Sequence, residues 1–112
     1  MSTILPKDDD NNPIPALRLR DGASHKIIAT DTIARNTTSF DYSTKVVSVY
    51  ATEDIYLEFG DASITATNTS HFFPAGVYYD FAINNCKHAK DTHIGVLKAG
   101  ANGANVYISE KE

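Results

Sequence analysis

The chain has 112 residues, of which 42% are hydrophobic and 21% charged, and a formal net charge of −4. That length accommodates a single folded domain, and the acidic balance disfavours a partner held mainly by its phosphates, which needs clustered Lys and Arg. One cysteine, Cys86, excludes an intramolecular disulfide framework. No apolar run approaches the roughly 20 residues of a membrane-spanning helix, and the opening residues lack the basic-then-apolar order of a secretory signal.

Residues 1–15 read differently from the rest. Pro6, Pro13 and Pro15 flank the run Asp8-Asp9-Asp10-Asn11-Asn12, and Ile4, Leu5 and Ile14 supply the apolar weight. Proline fixes φ and pushes its preceding residue toward extended geometry, so the segment is expected to be an extended arm. Fully extended it would reach about 50 Å. The globule behind it should have a radius of gyration of only about 13 Å. Ile4, Leu5, Pro6, Pro13, Ile14 and Pro15 are therefore the expected contacts to a neighbouring subunit.

Residues 16–112 read as one β domain. Lys45–Thr52 places Val47, Val49 and Ala51 on one side, and Asp54–Phe59 places Ile55, Leu57 and Phe59 likewise. In Val77–Ile83 the odd positions Val77, Tyr79, Phe81 and Ile83 form the apolar side, with Tyr78 and Asp80 opposite. Thr92–Lys98 aligns Ile94 with Val96, and Ala104–Ser109 aligns Val106 with Ile108. This period of two is that of half-buried strands. Weaker strand patterns cover Ala16–Arg20, His25–Thr30, Thr37–Tyr42 and His71–Phe73. Asp21-Gly22, Gly60-Asp61, Pro74-Ala75-Gly76 and Asn84-Asn85 signal turns, and Asn102-Gly103 predicts a hairpin between the last two strands. No segment holds a helical apolar period. The expected fold is all-β: an antiparallel two-sheet sandwich, jelly-roll-like, behind the arm.

Chemical motifs are weak. Asp8, Asp10 and Asn12 alternate like the start of a calcium loop, but Pro13 and Leu19 stand where that loop needs Gly and Glu. Cys86, His88 and His93 match no common zinc spacing, so no metal or other cofactor is expected. No nucleophile elbow or Cys–His signature occurs, and no catalytic residue is expected. Arg18 and Arg20 share a strand side, where salt bridges to the aspartates are a better reading than phosphate contacts. Tyr50, Tyr56, Tyr78 and Tyr107 fall on the less apolar strand faces, where tyrosines pack across strands, stack on sugars or anchor protein interfaces.

Phe59-Gly60-Asp61, Phe73-Pro74-Ala75-Gly76-Val77 with Phe81, His93-Ile94-x-Val96-x-x-Ala99-Gly100 and Gly103-x-x-Val106-Tyr107-Ile108-Ser109 resemble small all-β structural proteins of tailed phages and prophages. The resemblance spans roughly residues 45–109 and carries no catalytic residues. It implies a non-enzymatic virion protein, assembled in the bacterial host cytoplasm, that decorates or cements a capsid as a homo-oligomer bound to the major capsid protein or another virion protein. The alternatives are a tail, baseplate or head–tail connector component and, from another class, a carbohydrate-binding module using the outward tyrosines Tyr50, Tyr56, Tyr78 and Tyr107. Neither nucleic acid nor membrane is an expected partner.

Overall fold

The alternating segments fold as strands because each can bury one face and solvate the other. The computed structural model describes residues 5–14, 16–83 and 90–112. Within them lie eight strands: β1 (Leu19–Ala29), β2 (Ala34–Arg35), β3 (Val46–Ala51), β4 (Ile55–Gly60), β5 (His71–Phe73), β6 (Tyr78–Ala82), β7 (His93–Lys98) and β8 (Ala104–Lys111). They form two four-stranded sheets, ordered β1-β8-β3-β6 and β2-β7-β4-β5, and every pairing is antiparallel. No described residue is helical.

The core is what the period of two demanded. Ile27 and Ala29 of β1, Val47, Val49 and Ala51 of β3, and Val106 and Ile108 of β8 face Ile55, Leu57, Ile94 and Val96 from the other sheet, all buried. Phe40 and Ile83, outside the strands, plug the same core. Each such Val, Leu, Ile or Phe contributes about 1.5–3 kcal/mol by leaving water. Among the described residues of β6 the pattern is weaker. Val77, Tyr79 and Phe81 were expected on the buried side, yet Tyr79 is 57% exposed and Val77, just before the strand, is also exposed. The reason is position: β6 ends its sheet, so its inner face looks past the rim of the sandwich.

Four local expectations are corrected. Residues 6–14 do not run extended; they double back as a small hairpin, with Lys7 bridged to Pro13 and Ile14 N–H donating to the Pro6 carbonyl at 2.7 Å. The acidic-amide run makes the bend. Asp8 Oδ1 accepts from the N–H groups of Asp10 and Asn12, and Asn11 takes a φ of 66°, which Asn tolerates better than most residues. Asp21-Gly22 is not a turn between strands. It is an irregularity inside β1, where pairing with β8 shifts between Leu19 and Ser24 and Gly22 adopts φ 68°. Asn102-Gly103 does not close a hairpin, because β7 and β8 belong to different sheets. A Cβ on Gly103 would stand 3.0 Å from the Ala29 carbonyl oxygen, so close approach to the end of β1 explains this glycine. Thr37–Tyr42 is a loop, tied by side chains instead of a ladder. Asn36 donates to the Thr38 carbonyl and accepts from Ile94 N–H at 2.8 Å.

Candidate interaction surfaces

Three features stand outside the apolar core. The first is the hairpin at the end of the sandwich. The β1–β8 ladder continues through reciprocal backbone bonds between Arg18 and Glu112, and the chain then leads back to the hairpin. Leu5 is half-buried, while Pro6, Pro13 and Ile14 are exposed. Leu5 and Pro6 share a hollow of about 430 Å³ with Ala16, Leu17, Arg18 and Glu112. Ile4 and Pro15 lie outside the described residues. Among the described residues, the hydrogen bonds of residues 5–14 run within the segment and to Ala16, so the hairpin is held by its own bonds.

The second is the outer face of the β1-β8-β3-β6 sheet. Register places Lys26 beside Tyr107, Tyr107 beside Tyr50, and Tyr50 beside Tyr78, a row that crosses all four strands. Tyr107 and Tyr78 are exposed. Lys26 Nζ lies 5.8 Å from the Tyr107 ring centre and Lys111 Nζ 5.2 Å from that of Tyr78, both within cation–π range. Tyr78 Oη also shares a 2.7 Å hydrogen bond with the buried Ser48 hydroxyl. Tyr56 belongs to the other sheet, edge-on to Phe72 at 6.0 Å. Of the four tyrosines expected on the less apolar faces, Tyr50, Tyr78 and Tyr107 therefore share one sheet and Tyr56 occupies the other.

Between the edge strands β5 and β6 the sandwich opens. Phe81 packs against Phe59, Phe73 and Tyr79, with ring centres 5.3, 5.9 and 5.0 Å away. Leu57, Phe59, His71, Phe72, Phe73 and Phe81 line a hollow of about 300 Å³ there, and Phe72 is exposed. Leu57 and Phe73 are buried at its floor and Phe59 and Phe81 are half-buried, so its solvent-facing rim is made by Phe72 with Tyr79 nearby.

The third feature is polar and buried, and no local pattern announces it. Glu110 is 3% exposed. Its Oε2 lies 2.7 Å from His25 Nε2, and its Oε1 accepts from Asp41 N–H at 2.8 Å and the Thr44 hydroxyl at 2.6 Å. Arg20 donates to the Thr44 and Ser43 hydroxyls, and His25 meets Phe40 edge-on. These contacts pin the loop before β3 onto β1 and β8, a structural role. Their sequence separations, from 23 to 85 residues for the hydrogen-bonded side-chain pairs, explain why sequence inspection misses them. Burial lowers the Lys90 pKa nearby, opposed by Glu110 and Asp41. The Asp41 carboxyl sits below its usual value because Ser43 donates to it first through its N–H and then through its hydroxyl; Asp61 is lowered by the same two groups of Ser63.

The other charged candidates have partners. Arg18 pairs with Asp21 at 2.8 Å and Glu112 at 2.6 Å, the salt-bridge reading of this side chain. Asp8 is spent on the hairpin bend. Cys86, Lys87 and His88 lie outside the described residues, and His93 Nδ1 bonds to the Thr92 hydroxyl. Among the described residues, no three His, Cys, Asp or Glu side chains converge as metal ligands. No described helix is long and apolar enough to cross a membrane. No protein-family model, curated protein or solved structure matches this chain.

Proposed function

We propose that the protein is a non-enzymatic structural subunit of a tailed-phage virion, a decoration or cement protein docked on the major capsid protein. The observation that carries this reading is the exposed aromatic surface. It runs from the Tyr107–Tyr50–Tyr78 row to Tyr79 and the Phe-lined opening at β6. Tyr and Phe dominate protein interfaces because they bury large area at small conformational cost. The strand order β1-β8-β3-β6 over β2-β7-β4-β5 supports a jelly-roll reading, an architecture shared by viral capsid and lectin domains. The turn-and-strand motifs over residues 45–109 point the same way. Many copies on one particle would gain avidity without strong single contacts.

The hairpin of residues 6–14 is the second proposed contact, now as a compact projection with Ile14 exposed on it. A carbohydrate-binding reading would keep the Tyr107–Tyr50–Tyr78 row and lose only Tyr56, which lies on the other sheet. The test is to fractionate particles from a producing culture. The protein should co-sediment with virions at a copy number comparable to the major capsid protein, and deleting residues 1–15 should weaken that association while leaving the β domain folded. Low copy number would favour a tail or connector part. A protein that never travels with particles would refute the reading.

A further inference from the structure

Four strands end the two sheets, and three of them resist pairing. β2 has two residues and β5 three, too short to template a neighbour. β1 is long but interrupted at Gly22 and studded with Arg20, Asp21, His25 and Lys26, the devices that blunt an edge. β6 has none of them. Tyr78–Ala82 contains no Pro, Gly, Lys or Arg, and β3 is its sole strand partner among the described residues. Its one charge, Asp80, pairs with Lys111 at 2.9 Å. Tyr78 and Tyr79 are 58% and 57% exposed. In an antiparallel edge strand, alternate residues direct N–H and C=O groups away from the sheet, ready for another strand.

We propose that β6 pairs antiparallel with β6 of a second copy, about a two-fold axis passing between the two Tyr79 residues, so that two four-stranded sheets become one of eight strands. The occupant and register follow from self-complementarity. Only registers that keep inner faces aligned preserve the sheet, which removes every offset by one residue. Centring on Asp80 would set two carboxylates directly opposite, a destabilising pair. Centring on Tyr79 sets Tyr78 opposite Asp80 of the other copy and Val77 opposite Phe81. Val77 then arrives at the rim of the Phe-lined hollow. A buried aromatic removes roughly 150–250 Å² from water. Tyr78 and Tyr79 are a little over half exposed and Val77 less, so these side chains from both copies remove roughly 600 Å² from water and the paired backbone adds to it, the scale of a weak, concentration-dependent contact. A two-fold contact of this kind closes on itself and leaves the hairpin and the Lys26 end of the tyrosine row free. The pairing does not depend on the virion reading.

Sedimentation equilibrium of the full chain across a series rising from micromolar to millimolar concentration tests the mass at the upper end of the series. Twice the monomer mass is expected, halved by Tyr79→Lys with an unchanged far-ultraviolet circular dichroism spectrum. A monomeric or trimeric wild type, or a Tyr79→Lys variant that folds and still dimerises, would overturn the proposal. Oxidative cross-linking reads the register independently of that variant. In a Cys86→Ser background, Tyr79→Cys should form a disulfide-linked dimer, and Ala82→Cys, three residues off the axis, should not. The reverse pattern, or no cross-link at either position, would overturn it.

Discussion

The two edges of the β1-β8-β3-β6 sheet are finished in opposite ways. β1 is held from behind: His25 reaches the buried Glu110, Arg20 grips Ser43 and Thr44, and Gly22 breaks the run of regular pairing. At β6, Tyr78, Tyr79 and Asp80 are all exposed and the rim beside them is lined with Phe side chains. The protein spends its buried polar contacts on fixing one border and its surface aromatics on leaving the other sticky. A sheet built this way has a direction, with one side that ends and one side that continues.

The largest expected effect of breaking that contrast lies at the clamp. His25→Ala leaves the Glu110 carboxylate, almost fully enclosed, without one of its partners, and should cost about 3 kcal/mol of stability in urea unfolding. A loss below that of an ordinary surface substitution would show that the β1 border is not held by this contact. Next is Gly22→Ala. Its φ of 68° suits glycine, and a side chain there should cost about 1–2 kcal/mol, read from the same unfolding curves. At the β6 border, Tyr78→Phe removes only the hydroxyl bonded to Ser48. About 1 kcal/mol is expected, with the exposed ring still able to serve a partner.

The smallest effect is one of pH. Asp41 is held below its ordinary 3.8 by the Ser43 N–H and hydroxyl, so folding favours the ionised carboxylate. Its contribution is therefore complete above about pH 4 and fades as pH falls through the lower folded value. Asp41→Asn should lower stability slightly at neutral pH, where the contribution is complete, and converge with the wild type in acid, which flattens this limb of thermal unfolding. A steeper acid limb in the variant would reverse the assigned sign.

Much of this architecture was legible in the sequence because burial is periodic. Val47, Val49 and Ala51, or Ile55 and Leu57, alternate with polar neighbours, and each set is buried as the pattern requires. The partition into sheets was not legible. Asn102-Gly103 has hairpin composition, yet nothing local distinguishes a turn within a sheet from a crossing between two. Asp21-Gly22 shows the same ambiguity, since a positive φ serves a turn or a bulge equally well. The acidic run hid a bend because Asp8 must bond to backbone two and four residues ahead, a three-dimensional event. The tyrosine faces were visible from the pattern, whereas the exposure of Tyr79 depended on β6 lying at the border. The clamp was invisible, because Glu110 alone looks like any solvated acid near a chain end.

Amide hydrogen exchange across a dilution series tests most directly whether one border of the sheet is finished and the other open. Protection of β6 amides should rise with protein concentration, while that of β1 stays constant at every dilution. Protection that is independent of concentration along β6, or that climbs along β1 in its place, would contradict the account.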